Sequence, residues 1–204
     1  MNHKKPNYPL PTTNNQLAPG VTLVELIAGL GIIGVIIVML ASLYFAHTRL
    51  FSNQNTSIEV ASQNRLAVDE ITNQIRESEA VVSSCTACSP DSTSQTTLIL
   101  QLWPLDTNGD PTEPTTGSDY IIYKKGDNDN TKLIKKIVAD TSSSRQSSEK
   151  IIATNISSLT FTYEPDNNDP PTATAVTVSI TTTGKSGAKT LTTTQSVKAV
   201  LRNK

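Results

Sequence analysis

The feature that most constrains this chain is a long, mostly apolar segment from Val21 to Ala46, in which Glu25 is the only fully charged side chain. About 20 apolar residues cross a bilayer as a helix, so the segment predicts a membrane-spanning helix. A carboxylate inside such a helix costs on the order of 2 to 3 kcal/mol at mid-membrane. Glu25 lies one helical turn from Val21, near the membrane edge, where the cost is smaller. Its position predicts a partner of opposite charge.

Residues 1–20 are polar, contain four prolines and carry Lys4 and Lys5 near the front. In an ordinary secretory signal the apolar core precedes the cleavage site, whereas here the small residue Gly20 precedes the apolar segment. Cleavage after Gly20 would therefore remove a leader and keep the hydrophobic helix. The two lysines favour a cytoplasmic leader, with the rest of the chain across the membrane.

The motif at this boundary resembles that of the type IV pilin-like family, in which a leader ends in Gly and is followed by a residue that is often Phe, then by Thr-Leu-[Val/Ile]-Glu and an apolar helix. The matching residues are Gly20, Thr22, Leu23, Val24, Glu25 and Leu26. The resemblance implies that a prepilin peptidase cuts between Gly20 and Val21 and methylates the new amine. Val21 departs from the usual Phe, which bears on the methylation more than on the cleavage.

The same resemblance implies a role for Glu25, which would be the fifth residue of the processed chain. In filaments of this family the helices form an apolar bundle, and the glutamate pairs with the free amine of a neighbouring subunit. Each charge is costly to bury alone and less so when paired, so the pair would specify the axial stagger of the subunits. A contact with the Val21 amine of the same chain and an incidental acid at the membrane edge are the alternatives.

Three glycines, Gly29, Gly31 and Gly34, interrupt the apolar segment. Each costs up to about 1 kcal/mol relative to Ala in a helix interior. Close packing of helices in the membrane explains small residues there. The resemblance adds a second explanation, because pilin helices partly unwind near this depth when they enter a filament.

From residue 47 to residue 83 the polar content rises, and the sequence predicts an amphipathic continuation of the helix. Apolar residues recur there at a helical spacing, with steps of three and four once Arg65 and Ser78 fill the two gaps, which places them in one stripe that a head domain would cover. Acidic and basic residues fall mostly off the stripe and predict a solvated face. The stripe residues are Ile58, Ala61, Val68, Ile71, Ile75 and Val82.

Residues 84–204 predict a β-rich head domain outside the cytoplasm. Segments with strand-like alternation are separated by turns rich in Asp, Asn, Gly and Ser. The expected fold class is α+β, with the long amino-terminal helix packed on one antiparallel sheet. The predicted strands cover residues 97–103, 119–125, 132–138, 151–154, 159–164, 173–183 and 190–201.

The order of these strands, together with the ending Val197-Lys198-Ala199-Val200-Leu201-Arg202-Asn203, is similar to that of J-type minor pseudopilins and W-type minor pilins. The resemblance implies a structural or priming subunit of a type II secretion pseudopilus or a type IV pilus. It also implies residence in the inner membrane before assembly. The alternative is a membrane-tethered β-domain that acts alone in binding or adhesion.

The only cysteines, Cys85 and Cys88, predict a local disulfide, because they follow the membrane segment into an oxidising compartment. Free thiols remain an alternative. A zinc site would need further ligands and a redox motif would need a βαβ context, and both are missing from this part of the sequence.

Asp106, Asn108 and Asp110 alternate around Gly109 and partly resemble a calcium-binding loop. The bidentate acid of such a loop is missing because Glu113 comes too early, and turn propensity explains the same residues. No nucleophile, metalloprotease or phosphate-binding motif occurs, so we expect neither an enzyme nor a required cofactor. The net charge of −1 gives no reason to expect a nucleic-acid partner.

Overall fold

The computed structural model describes residues 20–114, 117–167 and 169–202. The predicted leader before Gly20 lies outside the described residues, and so does Asn203 of the ending noted above. Within them, one helix, α1, runs continuously from Leu23 to Glu77 and is followed by eight strands. The chain divides after Thr48 into two compact units. The second unit holds the carboxyl-terminal part of α1 and all the strands, and it forms the head.

The head contains two antiparallel sheets, which confirms the predicted α+β class. The first sheet has five strands in sequential order, and the second has three. The first comprises β1 (Ala80–Val81), β2 (Leu98–Leu102), β3 (Asp119–Lys125), β4 (Leu133–Val138) and β5 (Ser148–Ala153). The second comprises β6 (Ile156–Glu164), β7 (Ala175–Ser186) and β8 (Lys189–Val200).

The prediction of a single sheet was wrong, because the chain changes direction between β5 and β6. Asn155 adopts a left-handed backbone conformation with φ of +61°, which Asn tolerates better than most residues. The Ile156 amide then donates to the carbonyl of Thr131 instead of continuing the first sheet. The sharp turn sends β6 into a second layer, so both sheets bury a face in one core with α1.

The stripe by which α1 packs on the head differs in phase from the predicted one. Ile58 and Ala61 are exposed, and Val82 lies beyond the helix, whereas Val68, Ile71 and Ile75 are buried as expected. The observed stripe includes two polar residues whose side-chain donors are paired within the core, while Oδ1 of Asn64 has no hydrogen-bond partner among the described residues. Its members are Val60, Asn64, Ala67, Val68, Ile71, Thr72 and Ile75.

Asn64 explains why a polar residue belongs to this stripe. Its side-chain amide donates to the backbone carbonyls of Ile180, at 2.9 Å, and Thr193, at 3.1 Å, so it fastens α1 to the second sheet. A buried amide is tolerated when its donors are paired. A buried stripe predicted from apolar residues alone is incorrectly placed, because such a prediction omits the polar residue Asn64.

The helix ends at Glu77, earlier than the predicted residue 83. The Ser78 hydroxyl donates to the Ile75 carbonyl at 2.7 Å, and Ala80–Val81 then pairs with β2. The chain has therefore become a strand within three residues of the helix end.

Gly184 in β7 marks the closest approach of the helix and the second sheet. A β-carbon there would lie 2.5 Å from a methyl of Val60 and 2.8 Å from the methyl of Thr56. Both methyls belong to β-branched side chains with little rotational freedom in a helix. The contact therefore requires glycine at this position.

Replacement of Gly184 by Ala is expected to lower the free energy of unfolding by about 1–3 kcal/mol, the usual cost of overpacking. Urea denaturation of the full chain in detergent measures this change. The double variant with Val60→Ala is expected to recover part of the loss, because it removes the nearer methyl. Strictly additive effects of the two substitutions would contradict the contact.

Candidate functional site

The amino-terminal end of α1 is closed by reciprocal hydrogen bonds between Thr22 and Glu25. The Thr22 amide and hydroxyl each donate to Oε2 of Glu25 at 3.0 Å, and the Glu25 amide donates to the Thr22 hydroxyl at 3.3 Å. This is a capping box, in which Thr at the cap and Glu three residues later satisfy amides that a helix start leaves unpaired. Glu25 therefore already has a local partner, and one of its two carboxylate oxygens carries the capping bonds.

The pattern Thr-x-x-Glu at residues 22–25 is a helix-capping signal that can be recognised in the sequence. The predictions for Glu25 were pairing with an amine of a neighbouring subunit, pairing with the amine of its own chain or an incidental acid, and a cap was not among them. The cap does not exclude that pairing, because Oε1 of Glu25 accepts no hydrogen bond from the described residues. A test of Glu25 must therefore separate the cap from the charge.

The first part of α1 exposes its apolar side chains on all sides. Every large apolar side chain from Val21 to Phe51 exposes at least 50% of its surface. Soluble monomers rarely expose contiguous apolar patches larger than a few hundred Å². Among the described residues, α1 is one helix that is long and apolar enough to cross a membrane. No described part of the chain covers that surface.

The space beside the glycines of this region is open among the described residues. A β-carbon added at Gly20, Gly29, Gly31 or Gly34 would meet no atom within 4 Å. Three of them lie inside α1, where each costs up to about 1 kcal/mol relative to Ala. No contact among the described residues therefore accounts for glycine at these positions.

Gly20 and Val21 precede the first helical residue, Leu23, and both are exposed. The predicted cleavage position is therefore an accessible peptide bond just before the capped helix. The processing and methylation of this bond remain predictions.

Cys85 and Cys88 form a disulfide, and the short helical turn that joins them covers the outer face of the first sheet. Cys88 is buried against Ile99 and Ile122 in a small second core. This explains why β2 and β3 bury residues on both faces instead of alternating. The disulfide loop thus belongs to the head and packs on the first sheet.

The predicted calcium-like residues form a hydrogen-bonded turn. Oδ1 of Asp106 accepts from the amides of Asp110, at 2.9 Å, and Asn108, at 2.8 Å, and Gly109 provides the positive φ of +89°. These bonds, that of the Asp110 amide foremost, hold the pKa of the Asp106 carboxyl below its usual value. Within the described ranges no group of three His, Cys, Asp or Glu side chains could hold a metal ion. The backbone of the turn accounts for these residues.

The head contains a buried ion pair that no pattern in the sequence predicts. Asp119, at the start of β3, is fully buried, and its Oδ2 lies 2.8 Å from Nε of Arg145. The same carboxylate accepts from the Ser143 hydroxyl at 2.7 Å and from the Asp140 amide at 2.8 Å. It organises the loop between β4 and β5, and 26 residues separate the two charges.

The arrangement of one long apolar helix packed on antiparallel sheets is pilin-like. No family model matches the chain, and no curated protein matches it significantly.

Proposed function

We propose that this chain is a minor pilin or pseudopilin, a structural or priming subunit of a type IV pilus or a type II secretion pseudopilus. The observation that carries the proposal is the exposed apolar helix that begins, just after Gly20, with Glu25 in its first turn. A plain membrane tether explains the apolarity. It explains neither the glycine before the helix nor the glycines within it.

The unprocessed chain would reside in the inner membrane, with the head outside the cytoplasm. A prepilin peptidase would cut the accessible bond between Gly20 and Val21, and the requirement for glycine would come from that enzyme. The capped helix start would then present a free amine on Val21 next to Glu25. We assign the head a structural role and propose no catalytic step or cofactor.

In the assembled filament, the apolar surface of residues 21–51 would be covered by the same segment of other subunits. Gly29, Gly31 and Gly34 would permit close approach of their backbones. Oε2 of Glu25 would keep its hydrogen bonds with Thr22. Oε1 would accept a hydrogen bond from the Val21 amine of a neighbouring subunit. Because an unpaired buried charge is costly, this contact would favour one register over others.

Cross-linking through a single introduced cysteine tests whether this helix meets other pilin-like subunits. Leu30→Cys provides an exposed thiol on the apolar helix, and the native cysteines do not compete because they are in a disulfide. We expect a covalent product between this chain and a partner subunit that carries a cysteine at the equivalent depth. The matched control is Thr107→Cys in an exposed turn of the head.

A free tether predicts a different outcome of this experiment. If Leu30→Cys forms no product in cells that build the filament, and behaves like Thr107→Cys, the helix does not pack against subunits. The chain would then be a membrane-anchored β-domain that acts alone.

A further inference from the structure

A cluster of cationic side chains lies where the hairpin between β7 and β8 meets α1. The cluster, here called the basic patch, consists of Arg49 on α1 and Lys185 and Lys189 on the hairpin. Arg49 and Lys189 line one cleft of about 520 Å³, together with Ser52, Asn53, Ser186, Gly187 and Ala188. No acidic side chain lines this cleft.

The hairpin is fixed in place against the helix. Its tip turns at Gly187, where φ is +59°, and the hydroxyls of Ser186 and Ser52 are 3.0 Å apart. The contact of Gly184 with Thr56 and Val60 adds a steric constraint one turn further along α1. The backbone segments that carry the three cations of the basic patch are therefore held against each other.

The three charges of the basic patch have no partner among the described residues. None of them lies within 4.0 Å of an acidic side chain, whereas Lys124 and Lys135 of the same head do form ion pairs. The whole chain has a net charge of −1, so the patch is a local concentration of positive charge. Such a concentration attracts an anionic ligand.

The position of the patch along α1 indicates which anion it meets. Arg49 follows the last residue of the apolar segment, Ala46, by three residues, and Ser52 follows it by six. At a rise of 1.5 Å per residue these positions lie about 4.5 Å and about 9 Å further along the helix. The headgroup region adds about 5–7 Å to each side of the hydrocarbon core.

Aromatic residues support the same depth. On α1, Tyr44 and Phe45 precede Arg49 in the sequence and Phe51 follows it, and all three aromatic side chains are exposed. Tyrosine is enriched where hydrocarbon meets headgroups, because its amphipathic ring suits both phases. The patch is therefore placed beside lipid phosphates if the helix spans the membrane.

We propose that the basic patch is a binding site for the headgroups of anionic phospholipids. Arg49 and Lys189 would donate to phosphate oxygens in the cleft, and Lys185 would add attraction from the outer side of the hairpin. The hairpin would thus hold the head at the bilayer surface before assembly. The inference rests on the proposed membrane insertion, and it adds a ligand that pilin-like assembly by itself does not require.

The test uses the full chain in lipid nanodiscs and one fluorescent label on Ala188→Cys, at the hairpin tip. A quencher is carried either by phosphatidylglycerol or, at the same molar fraction, by phosphatidylcholine. We expect stronger quenching by the anionic lipid, and we expect the preference to disappear at high ionic strength. The triple substitution Arg49→Gln, Lys185→Gln and Lys189→Gln is expected to abolish the preference as well.

The matched control removes three other cations that form no ion pair, through Arg76→Gln, Lys150→Gln and Arg202→Gln, and it should retain the preference. Equal quenching by the two lipids, or a triple variant that behaves like the control, would overturn the proposed site. A label on Leu30→Cys reports membrane insertion separately. If quencher-bearing lipid reaches Leu30 but shows no preference at Ala188, only the lipid site is wrong. If lipid does not reach Leu30, the site and the membrane part of the proposed function are both wrong.

Discussion

Exchange of Glu25 for Gln is expected to remove the chain from filaments while its membrane residence stays unchanged. Gln can replace Glu in a capping box, so the bonds with Thr22 can persist and the helix start stays closed. The substitution removes only the negative charge that would meet the amine of a neighbouring subunit. Incorporation, measured by immunoblotting of purified filaments, should fall to background.

Two further variants separate the charge from the cap. Glu25→Ala removes both and should fail to assemble as Glu25→Gln does. Thr22→Val removes the capping hydroxyl but keeps the carboxylate, so we expect it to assemble with a helix start weakened by about 1 kcal/mol. If Glu25→Gln assembles normally and Glu25→Ala does not, the residue acts as a cap and the proposed pairing is wrong.

The second large effect is expected at Asp119 in the head. Replacement by Ala leaves the Arg145 guanidinium without its carboxylate and removes the acceptor of the Ser143 hydroxyl and the Asp140 amide. Loss of one partner of a buried ion pair typically costs about 3–5 kcal/mol. We expect a decrease of this size in the free energy of unfolding of the full chain in detergent, measured with urea. The loop between β4 and β5 should lose protection from hydrogen exchange first.

Asp69 provides a matched control, because it also pairs with an arginine. Its carboxylate lies 3.5 Å from Nε of Arg65, but the two side chains are 59% and 79% exposed. An exposed pair contributes about 0–1 kcal/mol, so Asp69→Ala should have little effect. Equal destabilisation by the two variants would contradict the importance given to the burial of Asp119.

The elements with strong local periodicity could be predicted from the sequence. The strand Asp119–Lys125 has the predicted bounds, and the other long strands differ by a few residues. The fold class follows because a helix and strands with one apolar face must bury those faces together. The division into two sheets could not be predicted, because it depends on the left-handed Asn155 and on a hydrogen bond to Thr131, far away in sequence.

The buried stripe of α1 shows a different limit of sequence analysis. Apolar spacing assigned Ile58 and Ala61 to the interface, whereas the structure buries Asn64 and Thr72 instead. The Thr72 hydroxyl donates to the Val68 carbonyl of its own helix, whereas Asn64 belongs to the core because tertiary structure supplies its acceptors, the backbone carbonyls of β7 and β8. No local pattern reports them.

Only part of the candidate site could be predicted from the sequence. Gly20 and Glu25 stand out in the sequence, and the Thr22–Glu25 cap follows from a local rule that applies to any helix start. The basic patch combines Arg49 with residues about 140 positions later, which only the hairpin contact brings together. The pairing of Glu25 with the amine of another subunit involves a second chain, and it remains a proposal.

The most direct test of the account is the amino terminus of the protein recovered from cells that have an active prepilin peptidase. Intact-mass and amino-terminal analysis should find a chain that begins at Val21, and the resemblance implies that its amine is methylated. The same chain from cells without the peptidase should retain the leader through Gly20. A chain that still begins at Met1 when the peptidase is active would contradict the pilin-like function proposed for this protein.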